Sequence, residues 1–249
     1  MQKGDHTRPV TLITGAARRI GAQIARTLHA AGHDLMLHYR SSEAEMQALC
    51  AELESARGRS VGRVQADLAD TAALPGIVAA AVRRFGRLDA LVNNASAYYA
   101  TPLMDATPAQ WDELFAANAR APFFLAQAAA PHLKASRGAI VNITDIYAER
   151  PLAGHAVYCA SKAALMMLTR SLAQELGPEV RVNAVAPGNI LWSTNPDKAE
   201  TEAMVTERTA LARQGDPEDI ARAVLYLLRD ATYVSGITLP VDGGRLLHV

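Results

Sequence analysis

The chain has little cysteine, no net charge and no long apolar run, and each shortage excludes something. Its two cysteines, Cys50 and Cys159, read as reduced, structural thiols of a cytosolic protein. His6, His29, His33 and His132 are scattered without zinc-ligand spacing, and Asp145 and Glu149 lack a second acidic pair, so no metal site is expected. Lys and Arg number 25 against 25 Asp and Glu, leaving no global field for nucleic acid or anionic lipid. A small neutral partner fits that balance better. No window approaches the roughly 18 consecutive apolar residues of a membrane span. The opening stretch MQKGDHTRPV has no apolar core of signal-peptide length. A soluble cytoplasmic protein is therefore expected.

What is present is alternation. Apolar or β-branched runs at 10–14, 35–39, 61–66, 90–93, 139–144, 181–186 and 237–241 read as strands separated by helical patterns. Ile20, Ile24 and Leu28 mark one helix face. Ser42-Glu43-Ala44-Glu45 has the form of a capping box, Thr107-Pro108 that of an N-cap with proline at the first helical position, and Asp216-Pro217-Glu218-Asp219 opens a further helix. Such alternation predicts an α/β fold, a Rossmann-type doubly wound parallel sheet of seven strands flanked by helices. Without a long polar linker or repeat, one domain is expected over 1–249. Polar residues at about 188–202, just past the sixth strand, make a candidate lid, because ligands in such folds bind beyond the carboxyl ends of the strands.

Two ends of a cleft are legible. After the first strand comes TGAARRIG at 14–21. Gly15 and Gly21, with Arg18, Arg19 and Ile20 between them, form a loop that brings backbone amides and a helix N-terminus to a pyrophosphate. The second strand ends in His38-Tyr39-Arg40-Ser41-Ser42, with no acid to hold ribose hydroxyls. An arginine beside two hydroxyls suits a phosphate monoester, which favours NADPH, and Arg18 could add charge to the same phosphate. Asp67-Leu68 follows the third strand, where a carboxylate can meet adenine. Asn94-Ala95 follows the fourth, where small polar residues let the cofactor lie close. At the other end, Tyr158 and Lys162 share a helix face at i, i+4, so the ammonium is expected to lower the phenol pKa and to hold a ribose hydroxyl.

TGxxxxxG, Asn93-Asn94-Ala95, Asn118, Tyr158-xxx-Lys162 and Pro187-Gly188 together resemble the short-chain dehydrogenase/reductase family, from about Val10 to Gly244. Two departures are informative. Most members carry a serine thirteen residues before the tyrosine, and here that position is Asp145. A carboxylate is a poor stabiliser of a ketone oxygen unless protonated, but can accept from, or relay a proton to, a nitrogen heterocycle. Arg19 replaces a middle glycine. With Asp145 and the segment 94–103, Arg19 resembles the pteridine reductase branch, which includes dihydromonapterin reductases. That resemblance implies an Asp145–Tyr158–Lys162 relay, with Asn118 orienting Lys162 through a water or backbone contact. It also implies cofactor contacts from Ser96, Pro187 and Gly188, a pterin hydrogen-bonded by Ser96 and stacked on Tyr98, Arg19 bridging phosphate and pterin, and a homotetramer. The apolar face over 163–176 and the C-terminal segment permit subunit contacts. Gly188, Leu191 and Trp192 would contribute a substrate wall from the lid. His155 reads as structural.

The function expected is NADPH-dependent reduction of a dihydropterin such as dihydromonapterin or dihydrobiopterin, with dihydrofolate as a further candidate. A carbonyl reductase such as a 3-oxoacyl-carrier-protein reductase is the rival, against which Asp145 speaks. A non-catalytic NADPH-sensing or scaffold protein is a third reading, against which Tyr158, Lys162 and Asn118 speak.

Overall fold

Strands β1 (Val10–Ile13) and β2 (Asp34–Tyr39) are buried along their whole length, as strands covered by helices on both faces must be. They belong to a seven-stranded parallel sheet completed by β3 (Val61–Gln65), β4 (Ala90–Asn93), β5 (Ala139–Ile143), β6 (Arg181–Pro187) and β7 (Thr238–Val241). The order is β3-β2-β1-β4-β5-β6-β7, every pair parallel. The computed structural model describes residues 8–191 and 202–247. Several strand ends fall a residue from their expected places, as at Ile13, Gln65 and Ile143, the usual uncertainty of terminal ladder residues.

The α-helices among the described residues are α1 (Arg19–Ala30), α2 (Glu43–Ala56), α3 (Leu74–Phe85), α4 (Pro108–Phe115), α5 (Ala121–Ser136), α6 (Ala156–Leu176), α7 (Glu202–Arg208) and α8 (Pro217–Arg229), joined by short 3-10 and π-helical turns. One apolar core packs Ile24 and Leu28 of α1 with Val224 and Leu227 of α8 against one sheet face. The other packs Ile77 and Phe85 of α3 with Leu125 and Leu133 of α5 on the opposite face. Full burial of each such side chain contributes roughly 1.5–3 kcal/mol, so the two cores hold the sheet between them and leave its carboxyl edge to carry loops.

Two of the three expected helix starts form as read. Thr107 accepts from the Gln110 N–H at 3.3 Å while Gln110 accepts from the Thr107 N–H at 2.9 Å, and Asp216 with Asp219 closes the same reciprocal box on α8. The box at Ser42 does not form: its side chain caps no helix N–H. Glu45, which would complete it, lies 3.5 Å from Arg18 instead.

Candidate active site

The glycine-rich loop is held by close approach rather than by looseness. Gly15 has φ +62°, and a Cβ there would stand 2.9 Å from Ala95 Cα. A Cβ on Gly21 would stand 2.2 Å from the Gly15 carbonyl oxygen and 2.6 Å from the Asn94 amide nitrogen. Asn94 explains the crowding: its side chain donates to the Thr14 and Gly15 carbonyls at 2.9 and 3.0 Å, tying the loop after β4 to the loop after β1. Arg19 opens α1 with φ +54°, the left-handed conformation that glycine adopts without cost and that costs an L-residue about 1–2 kcal/mol. The backbone has thus kept glycine's geometry while gaining a guanidinium. The first turn of α1 carries no acidic residue, so its amides and partial positive charge remain suited to a phosphate.

A cavity of about 540 Å³ opens over this loop, within the range of small-molecule and cofactor sites. Gly15, Arg18, Arg19, Ile20, Gly21, His38, Tyr39, Arg40, Ser41, Ser42, Asp67, Leu68, Asn94, Ala95, Ser96 and Tyr98 all line it. Ala69, Tyr99, Glu113 and Ala117 also line it and were not anticipated; Tyr99 donates to Glu113 at 2.9 Å. The lining residues do not act alike. Arg40 and Ser41 are exposed, whereas Tyr39 is buried with its hydroxyl donating to Glu43. Glu43, the first acid past β2, is further occupied by Gln47 at 2.7 Å and Arg63 at 3.2 Å. That commitment keeps it from serving ribose hydroxyls. Asp67 folds one oxygen back onto the Ala69 N–H at 2.9 Å.

Beyond Tyr98 lies the reactive group. Tyr158, in the first turn of α6, donates to Asp145 at 2.6 Å, and the other Asp145 oxygen accepts from the Tyr147 N–H at 2.9 Å. Lys162, one helical turn on, is buried and donates to the Ile143 carbonyl at 3.0 Å, with its ammonium 5.8 Å from the Tyr158 ring centre. The expected lowering of the phenol pKa is reversed: burial first, then the Asp145 charge, raises Tyr158 well above its ordinary value. Burial likewise raises Asp145 against the pull of its hydrogen bonds and of Lys162, and lowers Lys162 to about 8, with Asp145 opposing. The three groups hold their protons as one coupled unit. Thr144, beside Asp145, faces away and donates to Val185 O at 3.0 Å, so no hydroxyl substitutes for the carboxylate.

Asn118 sits in a π-helical turn, Ala116–Arg120, between α4 and α5, an irregularity frequent at functional sites. Asn118 donates to Ala97 O at 3.0 Å and Ser161 Oγ at 2.9 Å, and accepts from Ser96 Oγ and the Ala97 N–H, each at 2.9 Å. It clamps the loop at 96–97 to the helix that carries Tyr158. Because Ser96 sends its proton inward, it offers the cavity lone pairs rather than a donor. Tyr98 is 57% exposed, meets Tyr158 edge-on at 4.8 Å, and stacks on His155 with 5.1 Å between centroids and 15° between planes. His155, the N-cap residue of α6, does not line the cavity and backs one face of Tyr98 through this stacking.

Pro187 and Gly188, like Asp145, Tyr158 and Lys162, are not among the residues that line this cavity. Gly188 is required by packing, since a Cβ would stand 2.7 Å from Asp242. Leu191 is partly buried against the α1/α8 core, and Trp192 lies outside the described residues. Among the described residues no cluster of three metal-ligating side chains occurs, and no helix is long and apolar enough to cross a membrane.

Residues 15–245 match the sequence profile of the enoyl-(acyl carrier protein) reductase family. The chain is 40% identical to the protein named ketoacyl reductase 2 of the granaticin polyketide synthase of Streptomyces violaceoruber, with 96% of each chain covered. It is 35% identical to pteridine reductase 1 of Leishmania tarentolae, with 97% of each covered. A blue fluorescent protein from a metagenomic library, solved in complex with NADPH, superposes with a TM-score of 0.90 at 39% identity, over 98% of this chain and 99% of that one. With a doubly wound sheet, a glycine-locked dinucleotide loop and a buried tyrosine–lysine pair, the chain belongs to the short-chain dehydrogenase/reductase family of NAD(P)-dependent oxidoreductases.

Proposed function

We propose that this protein is an NADPH-dependent reductase of dihydropterins, such as dihydromonapterin or dihydrobiopterin, with dihydrofolate as a further substrate. The observation that carries the reading is Asp145 at 2.6 Å from the Tyr158 hydroxyl, where a ketone reductase would present a neutral donor. NADPH rather than NADH is supported by the exposed Arg40-Ser41 pair on the cavity wall and by the commitment of Glu43 to Tyr39, Gln47 and Arg63, and by the NADPH-bound relative.

Bound NADPH supplies the hydride. The chain supplies position and protons. The Tyr158–Asp145 pair presents a proton to a ring nitrogen, and Lys162 keeps the pair's charge in balance from below. Tyr98 provides a flat, half-exposed face for a planar heterocycle, Ser96 accepts from its N–H groups, and Arg19 stands at the wall between loop and substrate. Assembly as a homotetramer belongs to the same reading; Met167 on α6 and Tyr233 near the C-terminus, both exposed, mark faces where copies would meet.

The granaticin relative favours one rival, reduction of a ketoacyl thioester. A panel of 7,8-dihydropterins, oxidised pterins, dihydrofolate and acetoacetyl thioesters, followed by loss of NADPH absorbance, separates the two. Turnover of dihydropterins without thioesters is expected, and turnover of the thioester alone would overturn the assignment. Asp145→Ser is expected to depress pterin reduction about a hundredfold.

A further inference from the structure

His38 lines the cofactor cavity but spends both ring nitrogens on the protein. The Gly15 N–H donates to Nδ1 at 3.3 Å, and Nε2 bonds the Ala66 carbonyl at 3.1 Å. An amide N–H can only donate and a carbonyl can only accept, so one tautomer alone satisfies both: Nδ1 bare, Nε2 protonated. The main chain of the same residue completes the attachment, its carbonyl accepting from the Ala16 N–H at 2.9 Å. Two successive amides of the glycine-rich loop are thereby turned inward, and the donors left to an anion are those from residue 17 onward. On its far side the loop is stopped by Ala95, 2.9 Å from where a Gly15 Cβ would lie. His38 is 2% exposed and joins the loop after β1 to the ends of β2 and β3.

We propose that neutral, Nε2-protonated His38 is a positioning residue that presets the dinucleotide loop, and so sets cofactor affinity without touching the cofactor. The inference rests on the NADPH reading above. Burial holds the imidazole pKa down, against Ala66 and the charge of Asp67, which keeps Nδ1 an acceptor. An imidazolium would set one N–H against another at Gly15 and release the loop.

Two near-isosteres divide the imidazole. His38→Asn keeps an acceptor at the Nδ1 place and loses the bond to Ala66. His38→Gln keeps a donor at the Nε2 place and loses the bond to Gly15. His38→Ala loses both, and His33→Asn, at the distal edge of the sheet, controls for loss of a buried imidazole. Two readouts apply: NADPH Kd by fluorescence titration, and amide hydrogen exchange over residues 14–17 in the cofactor-free protein. Expected are a Kd raised about tenfold in His38→Ala and His38→Gln, restored to within about threefold in His38→Asn, with exchange following the same order and His33→Asn unchanged. Equal Kd and exchange across all His38 variants and wild type would overturn the inference while leaving NADPH binding intact. Parallel losses in His33→Asn would reduce it to general destabilisation. Wild type binding no dinucleotide would overturn the cofactor reading and this inference with it.

Discussion

Two buried polar clusters lie at opposite edges of the same sheet. At the carboxyl edge are Asp145, Tyr158 and Lys162. At the amino edge, His29 bonds Ser60 at 2.7 Å, His33 bonds Thr11 at 2.8 Å, and Arg57 approaches Asp34 at 3.5 Å while donating to the His29 and His33 carbonyls. Perturbation of pKa does not distinguish them: burial lowers His33 to about 4, as large a displacement as that of Lys162 to about 8. Access does. Both clusters are buried, but one stands directly behind Tyr98, which is in edge contact with Tyr158 and forms part of the cavity wall. A displaced pKa marks a site only where a cavity meets it.

The comparison can be broken at either edge. The largest effect is expected from Tyr158→Phe, which removes the proton held against Asp145: kcat should fall about a thousandfold with the melting temperature little changed. A variant that kept a tenth of the activity would take Tyr158 out of the chemistry. Next is acid stability at the distal edge. His33 has a folded pKa of about 4 against 6.5 unfolded, so the unfolded chain binds its proton first. Stability is fully present above about pH 6.5 and is lost as pH falls toward 4, by about 3 kcal/mol. Thermal melts across that window should show the loss, and His33→Asn should flatten it; an unchanged pH slope would place the sensitivity elsewhere.

Smaller effects sharpen the contrast between the buried relay and the exposed adenosine end. Arg40→Ala should weaken NADPH about tenfold and NADH hardly at all, and equal losses would remove the phosphate role. Smallest is Glu45→Gln, which frees Arg18 from an exposed pair at 3.5 Å. NADPH affinity should rise by less than about twofold and the gain should vanish in high salt, because such pairs are screened.

Legibility followed the range of the interaction. Thr107 and Asp216 formed their caps because such boxes are local, with every partner within three residues. At Ser42 the local pattern did not suffice: its side chain caps no helix N–H, and Glu45 meets Arg18 from another part of the chain. The packing need for Gly188 was not legible, since its crowding comes from Asp242, distant in sequence. Asn118 was found, but its partners Ala97 and Ser161 could be named only after α4, the π-turn and α6 were placed.

By itself, the sequence determined the alternation that makes the parallel sheet, the glycines at 15 and 21, and the presence of a carboxylate where a hydroxyl is usual. These are matters of residue type and period. Tertiary structure alone decided the proton inventory. Tyr158 and Lys162 are four residues apart in any helix, and spacing says that the cation should acidify the phenol. Folding buried both and set Asp145 at hydrogen-bond distance from the hydroxyl. Desolvation and a neighbouring negative charge then outweighed the lysine and raised the phenol instead.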